Sequence, residues 1–272
     1  MTTTNLNKTE KQPQWVLFGL LGRKNMRLDK LLSNSGFGSR KEVKVLLKKK
    51  WVTVNGKIET KAEAKVDTEK DVILVGDELV SYQEHLYLMM NKPQGVLSAT
   101  EDNHQKTIID LLAFELHQLE LFPVGRLDKD TEGLLLLTND GQLAHFLLSP
   151  KRHVDKVYFA KVAGRMTEED QRAFAEGIML EDGYHCLPAK LELLAYDEET
   201  DSSEVEITIK EGKFHQVKRM VIACGKEVTF LKRLSMGPLR LDDQLAKGDY
   251  RLLSDEELAA LRAHLPESIK KG

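Results

Sequence analysis

Four consecutive leucines, Leu134 to Leu137, run straight on from the charged loop Gly125-Arg126-Leu127-Asp128-Lys129-Asp130-Thr131-Glu132-Gly133. An unbroken apolar run closed by Asn139-Asp140-Gly141 reads as a buried strand, Leu134 to Thr138. The loop before it therefore lies at the rim of that strand, with Asp128 held between Arg126 and Lys129. Flanking cations keep a carboxylate ionised. A charged loop on an apolar scaffold is where side chains do chemistry rather than packing.

Around this strand the chain has 272 residues, enough for one large domain and a small one. The formal net charge of -3 hides two opposed blocks. Between Arg23 and Lys50, ten Lys/Arg face only Asp29 and Glu42, a balance of +8. Between Met166 and Glu206, thirteen Asp/Glu face only Arg172 and Lys190, a balance of -11. That asymmetry suits a polyanion held at one end of the molecule and repelled at the other. Cys186 and Cys224 cannot build a disulfide framework, so a reducing, cytoplasmic setting is expected. The apolar run Trp15 to Leu21 is short for a signal core and far below the ~18 residues of a membrane span. Residues 1–25 show no further period and are expected to be a disordered extension.

From Met26 the pattern becomes regular. Leu28, Leu31 and Leu32 have helical spacing, Gly36-Phe37-Gly38 interrupts it, and Ser39 is a good N-cap for a second helix carrying Val43, Leu46 and Leu47. Lys41, Lys44 and Lys48 share that helix's opposite face. After Trp51-Val52-Thr53-Val54, Asn55-Gly56 marks a tight hairpin, and Val72 to Val75 can close a small sheet. R-L-D-K-L-L, the Gly-x-Gly-Ser-Arg turn and V-T-V-N-G together resemble the alpha-L RNA-binding module, the type found in ribosomal protein S-four, over residues 26–83. A one-sided basic helix beside a hairpin is also the footprint that phosphate contacts require. Arg27, Lys30, Arg40, Lys41, Lys44 and Lys48 are its expected RNA contacts.

A polar stretch, Val80 to His85, reads as the linker to a second domain, 84–272. There the spacing predicts a strand Leu86 to Met90 ending in Asn91-Lys92-Pro93-Gln94-Gly95, a helix Ile108 to Leu116 capped from Thr107, and a short helix near Leu143 to Leu148. Next come a strand Val157 to Val162, a helix after Thr167, antiparallel runs near Leu187 to Leu194 and Ser203 to Ile209, and a helix Phe214 to Cys224. A strand Val228 to Arg233 and a final helix capped by Ser254-Asp255-Glu256-Glu257 complete the pattern. The expected class is α+β with a mixed, largely antiparallel sheet.

Three chemistries compete for the Asp128 loop. Asp128-x-Asp130-x-Glu132-Gly133 copies the opening of a calcium-binding EF-hand loop, but Asn139 stands where the closing bidentate Glu belongs. A glycosidase carboxylate pair could be drawn from Asp128, Asp130 and Glu132, although no aromatic sugar platform accompanies them. A nucleophilic Asp acting on a flipped nucleotide fits the polyanion footprint. The histidines His104, His145, His153, His185 and His215 show no metal spacing.

The run G-R-L-D-K-D-T-E-G-L-L-L-L-T-N-D-G resembles the catalytic motif of the pseudouridine synthases, and residues 26–265 as a whole resemble the RsuA branch, which acts on the ribosomal small subunit. N-K-P-Q-G at 91–95, S-P-K-R-H-V-D-K-V-Y at 149–158 and E-G-K-F-H-Q-V-K-R-M at 211–220 are the supporting motifs. The resemblance implies a pseudouridine synthase fold and isomerisation of one uridine of 16S rRNA, uridine 516 in the usual rRNA numbering. It implies Asp128 as nucleophile, Lys218 as its paired cation, Tyr158 as the ring stacked on the flipped base, and Arg126 as the side chain filling the vacated stack. Asn91, Lys92, Arg152, His215, Gln216 and Arg219 are further expected RNA contacts. The resemblance leaves open which carbon Asp128 attacks first. Isomerisation adds no group and changes no oxidation state, so neither cofactor nor metal is expected. The expected partner is 16S rRNA in a partly assembled subunit, with no membrane, and the protein itself is expected to be a monomer. A non-catalytic RNA-binding factor would share the basic module and differs in what Asp128 does.

Overall fold

The computed structural model describes residues 26–80 except 69, and residues 85–263, with the backbone alone at 115 and 118. The chain divides into two compact units, 1–84 and 85–272. The expected disordered extension at 1–25 and most of the expected linker lie outside the described residues.

In the first unit, β1 (Met26–Arg27) leads into α1 (Leu28–Asn34) and α2 (Arg40–Lys48), followed by β2 (Val52–Val54), β3 (Lys57–Ile58), β4 (Lys65–Val66), β5 (Ile73–Val75) and β6 (Glu78–Leu79). The strands form a sheet ordered β3-β2-β5-β6, with β1 and β4 paired separately. The Ser39 hydroxyl accepts from the Glu42 amide while the Glu42 carboxylate accepts from the Ser39 amide, a reciprocal cap that fixes where α2 begins. Leu28, Leu31, Leu32, Val43, Leu47, Val52 and Ile73 are buried together, and Lys41, Lys44 and Lys48 remain exposed on the far side of α2. Asn55 and Gly56 both take positive φ, 51° and 77°, and join Val54 to Lys57 as a two-residue hairpin turn.

The second unit contains β7 (Tyr87–Lys92), β8 (Phe122–Pro123), β9 (Glu132–Thr138), α3 (Gly141–Leu148), β10 (Lys156–Ala163), α4 (Glu168–Glu176), β11 (Lys190–Asp197) and β12 (Ser202–Ile209). It continues through α5 (Gln216–Ala223), β13 (Glu227–Met236), β14 (Leu239–Arg240), β15 (Tyr250–Leu252) and α6 (Asp255–Ala263). The sheet runs β11-β12-β10-β13-β9-β7-β15, with β8 on β9 and β14 on β13. Among the described residues its pairings are antiparallel except β9 with β13, where Glu132 meets Lys232 and Gly133 meets Arg233. The class is α+β with a mixed, largely antiparallel sheet.

The leucine run is buried on both faces of this sheet. Leu135 and Leu137 pack with Leu88, Met90 and Ala160 beneath α4 and α5, whereas Leu134 and Leu136 pack with Tyr87, Met89 and Phe146 beneath α3 and α6. Gly133, at φ 104°, is where the loop turns into β9, and a Cβ there would run into the Arg233 backbone. Glycine is what lets the parallel pairing close at this point.

Several expected elements differ: the strand expected at Leu86 to Met90 runs on to Lys92, and the one expected from Leu134 begins at Glu132. The Thr107 cap is real, its amide and hydroxyl both donating to Asp110. It serves only a 3₁₀ turn, Ile109–Leu111, because Leu112 and Ala113 turn extended before a second 3₁₀ segment, Phe114–Leu119. The run expected from Leu187 becomes a strand at Lys190, since Pro188 has no amide to give the ladder. The helix expected from Phe214 begins at Gln216, because His215 sits in the left-handed region. The strand expected at Val228 to Arg233 extends over Glu227–Met236.

Candidate active site

The Asp128 loop joins β8 to β9 and is fixed from below by the segment after β7. The Ser98 hydroxyl donates to the Leu127 carbonyl at 2.8 Å and accepts from the Leu127 amide at 3.1 Å. The Gly95 amide donates to the Lys129 carbonyl. Lys92 is fully buried at the end of β7, and its Nζ donates to the carbonyls of Pro93, Asp128 and Thr131 at 3.1, 3.0 and 3.0 Å. Burial pushes the Lys92 ammonium down to about 8, against the opposing pull of Asp128, Asp130 and Glu132.

So held, the Asp128 carboxylate faces α5. Its Oδ2 lies 3.0 Å from Lys218 Nζ and its Oδ1 lies 3.5 Å from His215 Nε2. Lys218 also reaches Asp130 Oδ1 at 2.6 Å. Burial works to lower the Lys218 ammonium, but its hydrogen bonds to Asp130 and Asp128 outweigh that and raise it. Burial raises the Asp130 carboxyl, yet the Lys218 bond and charge leave it below the ordinary range. Asp128 remains 27% exposed, toward a cleft with Tyr158, Ile209 and Leu231 among its buried walls and Arg126, Lys213 and His215 at its edge. A carboxylate paired to a lysine above apolar walls with one phenol can present a nucleophilic oxygen to a flat polar ring.

Asp128, Arg126, Tyr158 and Lys218 thus line one cleft, and His215 joins them. Lys129 does not, because its ammonium turns away to Gln105 at 2.8 Å, and the cation against Asp128 comes from α5 instead. Asn91, Lys92 and Gln216, expected to touch RNA, are buried and bonded inside the protein. Asn91 donates to the Leu245 carbonyl, and Gln216 donates to Glu211 while accepting from the Lys213 amide. That burial leaves Asn91 and Lys92 little surface for phosphate; Lys92 braces the Asp128 loop instead, and Gln216 lines the cleft beside His215. Arg219 is largely covered and clamped by Glu181 and Asp182. Arg152 is exposed over the Phe146 ring, beside a different cleft. In the first unit Lys30, Arg40, Lys41, Lys44 and Lys48 are exposed, and Arg27 is tied to Asp29 by two hydrogen bonds.

Sequence reasoning missed the bracing by Lys92 and Ser98, the sharing of Lys218 by two carboxylates, and the approach of His215 to Asp128. The proximity of N-K-P-Q-G to the end of a strand was the available signal for the first. The other acidic chemistries lose their geometry. Glu132 is buried in β9 and paired with Lys247 at 2.8 Å, so the three acids do not converge. Asp130, held below its ordinary range, is the reverse of the raised acid a glycosidase uses. Among the described residues, no three His, Cys, Asp or Glu gather where a metal could be held.

A sequence model of RNA pseudouridylate synthases matches residues 86–223, and one of the S4 domain matches residues 26–73. The chain belongs to the RNA pseudouridylate synthase family. It is 53% identical over 236 residues to the uncharacterized RNA pseudouridine synthase YtzG of Bacillus subtilis, covering 87% of this chain and 98% of the relative. It is 41% identical to ribosomal small subunit pseudouridine synthase A of Pasteurella multocida, covering 86% and 98%. It is also 41% identical to ribosomal large subunit pseudouridine synthase B of Bacillus subtilis, covering 87% and 96%. A crystal structure of a pseudouridylate synthase superposes with a TM-score of 0.60 at 37% identity, over 87% of this chain and 99% of the other. As a pseudouridine synthase, the chain is an isomerase that carries an S4 domain ahead of its catalytic domain.

Proposed function

We propose that this pseudouridine synthase converts one uridine of 16S rRNA, uridine 516 in the usual rRNA numbering, to pseudouridine. Asp128 is the nucleophile on an extruded base. The observation that carries the reading is the 3.0 Å pair of Asp128 and Lys218 at a cleft shared with Tyr158. The uridine is pulled out of its helix at a cost of a few kcal/mol and laid against Tyr158, while Arg126 fills the space it leaves. The carboxylate attacks carbon six of the uracil or the anomeric carbon of the ribose. The bond from the anomeric carbon to nitrogen one breaks, and the base turns within the cleft. A new bond joins the anomeric carbon to carbon five, and the bond to Asp128 breaks, either displaced from the anomeric carbon by carbon five or expelled from carbon six. The carbon-five proton leaves to Tyr158 or to a water beside it, and nitrogen one ends protonated. Atoms and electrons balance without a cofactor.

Relatives named for the small and for the large ribosomal subunit are equally identical to this chain, so the choice of 16S rRNA rests on H-Q-V-K-R-M together with N-K-P-Q-G. A monomer working in the cytoplasm on a partly assembled subunit completes the reading. Mapping carbodiimide-reactive uridines in rRNA from cells lacking the protein tests the target. Loss of one signal in 16S rRNA is expected, and loss in the large-subunit RNA would overturn the assignment. Asp128→Asn tests the chemistry: it should bind RNA and form no pseudouridine, and retained turnover would remove Asp128 from the role.

A further inference from the structure

Phe214 and His215, the two residues ahead of α5, are stacked on each other with ring centroids 3.7 Å apart and planes 19° from parallel. Phe214 is 73% exposed and stands in the chain between Lys213 and His215, both of which line the Asp128 cleft. Water disfavours an exposed phenyl ring, so one left uncovered next to cleft-lining residues is a face available for contact. One side is covered by the imidazole, and no second aromatic partner for Phe214 exists among the described residues. The backbone holds the pair in this position under strain. His215 has φ 50° and ψ 31°, a region that non-glycine residues seldom occupy, and its carbonyl accepts the Arg219 amide of α5 at 3.0 Å. The His215 ring in turn directs Nε2 at Asp128 Oδ1, 3.5 Å away. Phe214, His215 and the carboxylate therefore form one continuous line into the site.

We propose that Phe214, backed by His215, is a stacking platform for a nucleotide adjoining the uridine that enters the cleft. Extruding a uridine uncovers one face on each of its two neighbours, and where Arg126 covers one of them the other is open to a second flat group. A flat aromatic ring accepts any base, and Arg126 and Lys213 around the same cleft supply positive charge for the intervening phosphates. An apolar peptide would gain nothing from those cations. The platform makes the enzyme sensitive to whether a base is present at the flank, and much less to which base it is. The inference rests on the reading of the cleft as the site of an extruded uridine.

The test uses the full-length protein and transcripts carrying the mapped target uridine, either intact or abasic at the 5′ or the 3′ neighbour. On intact RNA, Phe214→Ala should lower kcat/KM about tenfold, equivalent to ~1.4 kcal/mol, while Phe214→Trp stays close to wild type. On the transcript abasic at the stacked flank, wild type and Phe214→Ala should converge. Phe114→Ala removes another exposed phenylalanine, on the second 3₁₀ segment, and should change nothing. An unimpaired Phe214→Ala enzyme, or an equal loss on intact and on both abasic RNAs, would overturn the platform. Wild-type turnover in the same assay separates the two readings. If it is present and Phe214→Ala is indifferent, only the platform falls; if it is absent, both fall.

Discussion

The Lys92 ammonium donates to the backbone carbonyl of Asp128 at 3.0 Å, so a fully buried cation anchors the residue whose carboxylate faces the cleft. The same nitrogen holds Pro93 and Thr131 on either side. The position of the Asp128 carboxylate is thus set through the backbone as well as by Lys218.

Replacing Lys92 by Met keeps much of the volume and removes every donor. Each carbonyl left without its partner costs roughly 1–3 kcal/mol, and the loop can recover that only by moving. The expected result is a fall in kcat of about tenfold or more with KM for RNA nearly unchanged, because the RNA-facing surface is intact. Steady-state kinetics decides it. A rise in KM at constant kcat would mean that Lys92 serves binding and not loop geometry.

Lys92 and Lys156 together make stability depend on alkaline pH. Burial brings both down to about 8, with the Arg233 charge adding to the effect on Lys156. In the unfolded chain they return to the ordinary 10.5, so between about 8 and 10.5 the unfolded state binds more protons than the folded one. The destabilising cost of two buried charges is complete below about 8 and fades as pH rises through that window. Urea unfolding across the window should show this upward contribution in wild type and its loss in the Lys92→Met, Lys156→Met double variant. Matching pH profiles for the two proteins would remove the assignment.

Lys218 is shared between a carboxylate in the cleft and one that is 70% exposed, and the two should not matter equally. Lys218→Met strips Asp128 of its cation and is expected to lower kcat about a hundredfold. Asp130→Asn removes an exposed ion-pair partner of a kind worth at most ~1 kcal/mol, so turnover should stay within a few-fold. Single-turnover rates on a saturating transcript measure both. A larger loss from Asp130→Asn than from Lys218→Met would reverse the roles assigned to the two acids.

Local rules made much of this molecule legible in its sequence. The four leucines could be read as doubly buried because no polar residue interrupts them, and Ser39 announced the start of α2 because a hydroxyl there can accept from an amide one turn on; the reciprocal bond from Glu42 was not foreseen. What the sequence concealed depends on neighbours far along the chain. Lys129 adjoins Asp128 in sequence but points to Gln105, while the partner cation, Lys218, arrives from a helix far along the chain. Lys92 and Gln216 carry polar side chains that looked ready for RNA, and only the packed structure shows that carbonyls and Glu211 have already taken them. The helix expected after Thr107 had a true cap and still stopped, because a cap fixes where a helix begins and says nothing of its length.

The S4 domain offers a test that leaves the active site untouched. Lys41, Lys44 and Lys48 are exposed on one face of α2, opposite Val43 and Leu47, which are buried in the unit's core. Changing all three to Ala should leave the melting temperature nearly unchanged, since none supports packing. If each lysine neutralises a phosphate, the slope of log K against log salt for RNA binding should flatten by about one per lysine. At low salt the variant should bind several-fold more weakly, and near 0.2 M the difference should shrink as counterion release loses its weight. Binding isotherms across a salt series measure the slope directly. A slope equal to that of wild type would show that this face of α2 does not touch the RNA backbone, and the contact would then have to be sought elsewhere in the domain.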